Sequence, residues 1–340
     1  MKKAALKTLM QCEPWQRAFT LQSETAQGFH QACVDVLQEN CPLRPLAPEL
    51  LTLQRNLFST LFIMAAEASG VAVEKLPVYA MVNQCLRAQL TGCDNLLDDE
   101  YKSVIPFDLP GSGFRFRSVL TIMSADTVLA RQILSEVTAG RLDEASARKL
   151  QAALAVLIPS GIEEHEESGL GDAIPTVASI LQQVHPRKTG LLFETPIRVA
   201  EKMSDVATER ANVVAGALAD FGIGCQVVDD LQDVADDLFL GKHNLVVYEA
   251  FHGEDPHERQ LVADLKQYGC TLEEAQRMAA LLPLARTRCL GHAQRYFLQA
   301  EHVFTRAFPA FGPAKTAALA LLVKASIMSE RSDIEEGASL

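Results

Sequence analysis

Apolar residues recur along the chain at the three- and four-residue intervals of amphipathic helices. Broad apolar faces of this kind run through residues 50–62 and 150–157. The clearest example follows the i, i+3, i+4, i+7 template, with Ala211, Val214, Ala215 and Leu218. Alternating β-branched stretches are scarce, and no Asn-Gly or Asp-Gly turn lies between two alternating runs. The pattern therefore predicts an all-α protein of about ten or more helices.

Segments rich in proline and glycine interrupt these helical runs and mark their predicted ends. They fall at residues 40–48, 106–113, 168–175, 253–256 and 309–313. None is long or biased enough to be an interdomain linker. We therefore expect one domain over residues 1–340, with N-terminal helices in 1–45 and a flexible tail at 332–340.

Composition narrows the class of protein. Hydrophobic residues make up 48% of 340 positions, which suffices for a sizeable core. The net charge of −12 argues against a nucleic-acid or anionic-membrane surface. Eight scattered cysteines without a CxxC pair are typical of reduced thiols and predict a cytoplasmic location. No apolar run reaches the ~18 residues of a membrane span, and the first residues are too weak a match to a signal peptide.

Two acidic clusters each follow an apolar helical run. The first contains Asp94 and Asp98, which are four residues apart and so share one face of a helix. The second reads Asp229-Asp230-Leu231-Gln232-Asp233, and Asp229 and Asp233 repeat the four-residue spacing. Carboxylates on one face repel each other unless a cation lies between them.

Oxygen ligands without histidine select a hard ion, and Mg²⁺ is favoured over Zn²⁺. The predicted metal ligands are Asp94, Asp98, Asp229 and Asp233. Because Mg²⁺ is held by few carboxylates together with substrate phosphates, this pattern predicts a phosphorylated substrate. The competing interpretation is that each cluster is a solvated helix end. Two clusters with matched spacing and apolar approaches favour the metal site.

The residues around the second cluster carry a family resemblance. GIGCQVVDDLQD resembles the second aspartate motif of the trans-isoprenyl diphosphate synthases, G-x-x-x-Q-x-x-D-D-x-x-D. The segment at Lys242 resembles that family's Gly-Lys segment, and Lys188-Thr189 resembles its Lys-Thr pair. DNLLD, beginning at Asp94, resembles the first motif, DDxxD, with Asn95 in the second place. The resemblance spans about residues 50–330, which leaves 1–45 as divergent N-terminal helices.

The resemblance implies a large orthogonal helical bundle of the isoprenoid-synthase type with a central cavity. It implies that Mg²⁺ ions link the two aspartate motifs through a bound prenyl diphosphate. Three ions are expected when the substrate is bound. The implied catalytic residues are Asp94, Asp98, Asp229, Asp230, Asp233 and Lys188. The implied diphosphate-binding residues are Lys188, Thr189, Gln226, Lys242, Arg55 and Arg87. A homodimer is also expected from the resemblance.

The chain departs from the family where isopentenyl diphosphate, the acceptor in chain elongation, would bind. Of the family's basic first segment only Arg55 remains, Arg87 takes the place of a histidine, and the twin-arginine position falls near Ser103-Val104. A diphosphate acceptor binds weakly without such cations. We therefore expect pyrophosphate release without elongation, as in a terpene synthase. The alternatives are a prenyltransferase using isopentenyl diphosphate or another acceptor, and a non-catalytic partner subunit of a prenyl synthase.

Overall fold

The computed structural model describes residues 7–97, 101–109, 113–152, 155, 157–166 and 175–307. These residues form helices and no β-strand, with one isolated antiparallel bridge between Leu43 and Phe107. The predicted all-α class is thus confirmed. The predicted tail at 332–340 lies outside the described residues.

Thirteen helices can be numbered in chain order through the described residues. The first six are α1 (Glu13–Leu37), α2 (Leu57–Ser69), α3 (Leu76–Leu97), α4 (Phe114–Thr138), α5 (Glu144–Gln151) and α6 (Leu157–Glu166). Helix α7 runs without a break through Val177–Ser179, Ile180–Val184, His185, Pro186–Gly190 and Leu191–Lys202. The rest are α8 (Thr208–Gln232), α9 (Val234–Leu240), α10 (Leu245–His252), α11 (Pro256–Tyr268), α12 (Leu272–Ala279) and α13 (Pro283–Ala307).

Helix α8 lies in the core and carries the second acidic cluster at its C-terminal end. It packs against α13 on one side and α7 on the other. Its apolar template residues are buried, as the sequence pattern predicts: Ala211, Val214, Ala215 and Leu218. Burial of that face fixes the helix, so the acidic residues that follow are held at a defined place.

Helices α3 and α4 form the other close pair, and α1 packs across α2 and α3. Gly92 of α3 permits the approach of α4, because a Cβ there would meet Ile122 Cγ1 at 2.7 Å and the Ser118 carbonyl oxygen at 3.0 Å. The first acidic residue, Asp94, follows this contact by two positions. The α3–α4 packing therefore sets the depth at which Asp94 lies.

Helix α7 contains two π-helical segments, Ile180–Val184 and Pro186–Gly190. Wider π turns are often found at functional sites, since they shift the register of the side chains that follow. Lys188 and Thr189 lie in the second of these segments. The sequence pattern does not reveal this change of helix type.

The helical face expected over residues 50–62 is interrupted in the structure. A short 3-10 helix spans Pro48–Leu51, and α2 begins at Leu57. Asn56 accounts for the break, because its amide donates to the carbonyl oxygens of Leu50 and Thr52. Such side-chain bonds to nearby backbone compete with a continuous helix. The face expected over 150–157 also divides, since α5 ends at Gln151 and α6 begins at Leu157.

Among the described residues, α8 is the one helix whose length and apolar content match a membrane span. Its most apolar window is 67% buried inside the bundle. Burial of this kind is what a core helix shows, so α8 is weak evidence for a span.

Two glycines of α8 provide a matched test of the core packing. A Cβ on Gly222 would meet Phe193 Cδ2 at 2.6 Å, whereas a Cβ on Gly216 meets nothing within 4 Å. We expect Gly222→Ala to lower the free energy of unfolding by about 1–3 kcal/mol through overpacking. Gly216→Ala should raise it by roughly 0.5–1 kcal/mol, because alanine has less backbone freedom to lose. Urea unfolding of both variants measures this. Equal effects would contradict the close approach of α7 to α8 at Gly222.

Candidate functional site

An apolar cavity of about 210 Å³ lies between α2, α3 and α7. Its apolar wall consists of Phe58, Phe62, Leu86, Leu90, Leu192, Phe193 and Pro196. The rings of Phe58 and Phe62 meet Phe193 edge to face, with centroids 5.2 and 5.4 Å apart. Phe193 in turn contacts Phe221 of α8, with ring centroids 6.0 Å apart. The bundle thus has a cavity that is rich in aromatic rings, and its lining does not include Asp94, Asp229, Asp233 or Lys188.

The first acidic motif stands one turn beyond this cavity. Leu86 and Leu90 line the cavity, and Asp94 follows them at the same four-residue interval on α3. Residues so spaced lie on one face of a helix, about 6 Å apart along its axis. Asp94 is half-buried. Asp98, the other carboxylate predicted here, lies outside the described residues.

Lys188 lies on α7, one turn before the residues of that helix that line the cavity. It is half-buried in the π-helical part of α7, and Leu192 and Phe193 of the cavity follow it by four and five residues. Its carbonyl oxygen accepts a 2.5 Å hydrogen bond from the Ser160 hydroxyl of α6. This bond fixes the backbone from which the ammonium group extends.

The carboxylates of the second motif differ in their exposure to solvent. Asp229 and Asp233 are exposed, whereas Asp230 is only 3% exposed. Loss of surrounding water and the negative charges of Asp233 and Asp230 raise the pKa of Asp229 to about 6. Lys188 and Lys102 act in the opposite direction on the same carboxylate. The cluster therefore carries negative charge that its protein neighbours only partly offset.

Asp230 is held by partners from three parts of the chain. His185 Nε2 lies 3.1 Å from Oδ2, the Leu245 backbone N–H donates to Oδ2 at 2.8 Å, and Gln226 donates to Oδ1 at 3.1 Å. Burial raises the pKa of Asp230, but the His185 charge and these hydrogen bonds outweigh it and hold the pKa below its ordinary value. Asp230 thus ties α8 to α7 and to the start of α10.

Gln226 and Thr189, both predicted to bind diphosphate, contact each other instead of standing free. The Thr189 hydroxyl donates to Gln226 Oε1, and Gln226 Nε2 also approaches Asp229 Oδ2 at 3.4 Å. The two residues join the Lys-Thr pair to the aspartate motif. In this arrangement the two residues position the charged side chains next to them, Lys188 and Asp229. Thr189 is half-buried.

A second set of contacts orders the segment that carries Lys242. Asn244 donates to the Asp230 carbonyl oxygen at 2.7 Å and to Asp237 Oδ2 at 2.8 Å, and it caps α10 through the Val246 N–H. The Lys242 N–H donates to the Asp237 carbonyl oxygen at 2.9 Å. Burial raises the pKa of Asp237 to about 7, although the Asn244 hydrogen bond lowers it.

Arg55 and Arg87 line both the main cavity and a smaller recess of about 70 Å³. Arg87 is bound to its neighbours, since it donates to Asn56 Oδ1 at 2.9 Å and to the Arg55 carbonyl oxygen at 3.0 Å. Burial and the nearby Arg55 charge lower the pKa of Arg87. The recess also meets Ser103, Val104 and Ile105, at the position where the resemblance calls for two arginines.

The donor set fits Mg²⁺ only when a substrate completes it. In the parts of the chain that the structure describes, no three acidic, histidine or cysteine side chains converge as a metal site by themselves. Loss of surrounding water and the neighbouring carboxylates Asp233 and Asp230 raise the pKa of Asp229, and a bound cation would relieve that repulsion. Mg²⁺ is commonly held by one or two carboxylates with substrate phosphates. Asp94, Asp229 and Asp233 are therefore consistent with the predicted ions.

Two supporting residues escaped the sequence analysis, His185 and Asn244, and the contact of Asn95 with Lys102 was not foreseen. His185 precedes Lys188 by three positions, a spacing that places both on one side of an ordinary helix. Asn244 stands directly before an apolar helix, which is the usual place of an N-cap. The sequence offers these signals, but only the structure shows that both residues contact the aspartate motif.

The acidic segment 163–167 is described only in part. Glu163 lies 3.7 Å from Arg187, which places α6 beside the π-helical segment of α7. The side chains of residues 164–167 lie outside the described part of the chain. The interpretation of this segment as a polar helix end stays a prediction.

Comparison with known proteins gives the fold and little sequence similarity. No family model matches the chain, and no curated protein matches its sequence. Solved structures match across nearly its whole length. A polyprenyl synthase from Roseobacter denitrificans has 19% identity and a TM-score of 0.58, over 92% of this chain and 99% of that one.

Two further structures agree with this match. A polyprenyl synthetase from Streptomyces coelicolor has 20% identity and a TM-score of 0.60, over 91% of this chain and 98% of that one. A polyprenyl synthase from Caulobacter crescentus, complexed with calcium and isoprenyl diphosphate, has 16% identity and a TM-score of 0.64. The match covers 92% of this chain and 97% of that one. The chain has the all-α fold of the trans-isoprenyl diphosphate synthases.

Proposed function

We propose that the protein ionises an allylic prenyl diphosphate in a Mg²⁺-dependent reaction, releasing pyrophosphate and giving a terpene without chain elongation. The observation that carries this proposal is the position of the charged groups. Asp94 of α3 and Lys188 of α7 each stand one turn from residues that line an aromatic cavity, and the Lys188 charge lowers the pKa of Asp229. An apolar chain in the cavity would place its diphosphate among these groups.

The protein's own residues suit the departure of a diphosphate. Asp94, Asp229 and Asp233 would hold Mg²⁺, which when bound supplies Lewis-acid stabilisation of negative charge on the leaving group. Lys188 adds positive charge beside Asp229. A preorganised cation of this kind stabilises charge that develops in the transition state. The Caulobacter structure, with a divalent cation and isoprenyl diphosphate in the same fold, agrees with this proposal.

The cavity wall suits the carbon fragment left behind. Phe58, Phe62 and Phe193 surround the space with ring edges and faces. Aromatic faces attract cations, and an apolar wall keeps water away from a reactive carbocation. The same wall accepts a prenyl chain, whose burial is favourable by about 25 cal/mol per Å² of apolar surface.

The recess at Arg55 and Arg87 favours the non-elongating reaction over condensation with isopentenyl diphosphate. Two arginines are present, but Arg87 already donates to Asn56 and to a carbonyl oxygen. The loop side of the recess presents Ser103 and Val104 in place of two cations. A diphosphate acceptor would find few charge-assisted hydrogen bonds there. The alternative functions remain a prenyltransferase with this or another acceptor, and a non-catalytic partner subunit.

Product analysis separates these functions. The protein is incubated with Mg²⁺ and geranyl, farnesyl or geranylgeranyl diphosphate, each with and without isopentenyl diphosphate. We expect pyrophosphate release and a hydrocarbon or alcohol by mass spectrometry without isopentenyl diphosphate. Longer diphosphates that appear only with it would establish the elongating prenyltransferase. No release under either condition would favour the partner subunit.

Variants of the acidic and basic residues serve as controls for that assay. Asp229→Ala and Asp94→Ala should abolish pyrophosphate release while circular dichroism shows an intact helical fold. Lys188→Ala should slow it by about 10²-fold through loss of leaving-group stabilisation. As a control, Asp236→Asn removes the charge of an exposed carboxylate in the first turn of α9. This variant should keep the wild-type rate. Full activity in the Asp229 or Asp94 variant would overturn the assigned site.

The raised pKa of Asp229 predicts competition between protons and Mg²⁺. With a pKa of about 6, the carboxyl is mostly protonated at pH 5.5 and ionised at pH 7.5. The Mg²⁺ concentration for half-maximal pyrophosphate release should rise roughly fourfold at the lower pH, since only the ionised form binds metal. Saturating Mg²⁺ should restore the rate. A loss at pH 5.5 that Mg²⁺ cannot restore would show that another group titrates.

The predicted homodimer has support from the surface of α4. Phe116, Val119, Met123 and Leu134 are exposed and recur at helical intervals along one side. Exposed large apolar side chains that share one side of a helix often mark an interface. Sedimentation should give about twice the 37.1 kDa chain mass, and Met123→Lys should shift it towards one chain. A monomeric wild-type protein would contradict the prediction.

The cytoplasmic location likewise stays a prediction.

A further inference from the structure

The recess of about 70 Å³ is lined by α1, α3 and the segment before α2, and many of its groups are polar. These polar residues are His30, Arg55, Asn56, Gln84, Arg87 and Ser103. A water molecule needs roughly 10–15 Å³ of such space and two or more polar partners. The recess therefore has the room and the hydrogen-bonding groups for several water molecules.

Next to this lining lies a buried amide oxygen that the described residues leave without a partner. It belongs to Gln22 of α1, which is only 1% exposed. The Gln22 nitrogen donates to Gln84 Oε1 at 3.0 Å and approaches Asn56 Oδ1 at 3.5 Å. Ordered water commonly satisfies buried polar groups that have no protein partner. Gln22 is thus a second, independent reason to expect water beside Gln84 and Asn56.

The recess and the aromatic cavity meet at two arginines, since Arg55 and Arg87 line both spaces. Arg87 is held at this boundary by its hydrogen bonds to Asn56 and to the Arg55 carbonyl oxygen. A guanidinium group has only donors, so neither arginine can bond to a carbocation or take a proton from one. Water from the recess side is the nucleophile that can enter the cavity at this boundary.

The lining of the aromatic cavity contains no strong base in the part of the chain that the structure describes. Apart from the two arginines, its polar members are Ser59, Asn83 and Thr195. Hydroxyl and amide groups are weak acceptors and do not hold a proton at neutral pH. A carbocation in the cavity therefore faces no side chain that removes its proton, but it lies beside a source of water.

We infer that water from the recess ends the proposed reaction and that the product is an alcohol. The inference rests on the proposed function and names the product class of the same site. The water oxygen forms a C–O bond to the allylic cation, one O–H bond of the water breaks, and its proton passes to the released pyrophosphate. The amide oxygens of Gln22 and Gln84 can accept a hydrogen from water, which leaves an oxygen lone pair for the carbon atom.

The experiment is the reaction with Mg²⁺ and geranyl, farnesyl or geranylgeranyl diphosphate in ¹⁸O-labelled water, followed by mass spectrometry. We expect the main product to be an alcohol that carries ¹⁸O, because the C–O bond to the diphosphate breaks and the new oxygen comes from water. A contaminating phosphatase cleaves the P–O bond instead and gives an unlabelled alcohol. An unlabelled alcohol, or hydrocarbon as the main product, would overturn the inference.

Two variants test whether the water comes from the recess. Gln84→Leu removes an amide from its lining, and Ser103→Leu adds an apolar side chain at an exposed position of the same lining. Each should lower the ratio of alcohol to hydrocarbon by about tenfold, the effect of losing one hydrogen bond to the attacking water. The cation then loses a proton to pyrophosphate instead. Gln151→Leu, at an exposed position of α5, is the matched control and should keep the wild-type ratio.

The wild-type alcohol-to-hydrocarbon ratio in the recess variants would overturn the recess as the water source. Ser103→Leu decides this point if Gln84→Leu does not fold, because Ser103 is exposed. A crystal structure gives a readout that does not depend on turnover. It should show ordered water in the recess within hydrogen-bond distance of Gln22 or Gln84, and a dry recess would contradict the inference.

The two proposals fail in different ways. Absence of pyrophosphate release from every allylic substrate would reject the proposed function and the inference with it. Pyrophosphate release with hydrocarbon as the main product would uphold the proposed function and reject the inference alone. Labelled alcohol whose share falls in both recess variants would support both.

Discussion

The buried carboxylate of Asp230 is the interaction on which the rest of the site depends. A charged group inside a protein is tolerated when it is paired and hydrogen-bonded. Asp230 meets this requirement through His185 of α7, Gln226 of its own helix and the Leu245 N–H at the start of α10. These bonds join the core helix to the π-helical segment with Lys188 and to the segment after Lys242. Removing any partner would leave a buried charge that the surrounding helices no longer balance.

The same motif also contains carboxylates that the protein does not balance. Asp229 follows the buried Gln226 by three positions and is exposed, and loss of surrounding water together with neighbouring negative charges raises its pKa. One aspartate of the motif therefore organises the helices, while its neighbour remains available to a cation. This division explains how two adjacent residues of the same type differ in role. Burial and hydrogen bonding decide which carboxylate is structural and which faces the ligand.

Beside Asp94, the described part of the α3 side of the site contains polar groups that are engaged with their neighbours. Asn95 is engaged with Lys102, and Arg87 is engaged with Asn56 and Arg55. Along the cavity, aromatic contacts reach from Phe58 to Phe193 and on to Phe221. The arrangement suits one diphosphate and its apolar chain, which is the basis of the proposed non-elongating reaction.

The sequence by itself determined the helical class, the buried face of α8 and the paired acidic motifs, because these follow from periodicity and local spacing. It also indicated Lys188 and Asp229 as parts of one site through their resemblance to a known family. It did not determine that α7 becomes π-helical, that Asn56 interrupts the face over residues 50–62, or that Asn95 holds Lys102. Each of these depends on a hydrogen bond or packing contact beyond the local helical pattern. Only the tertiary structure decided which polar residues are satisfied internally and which remain available to a ligand.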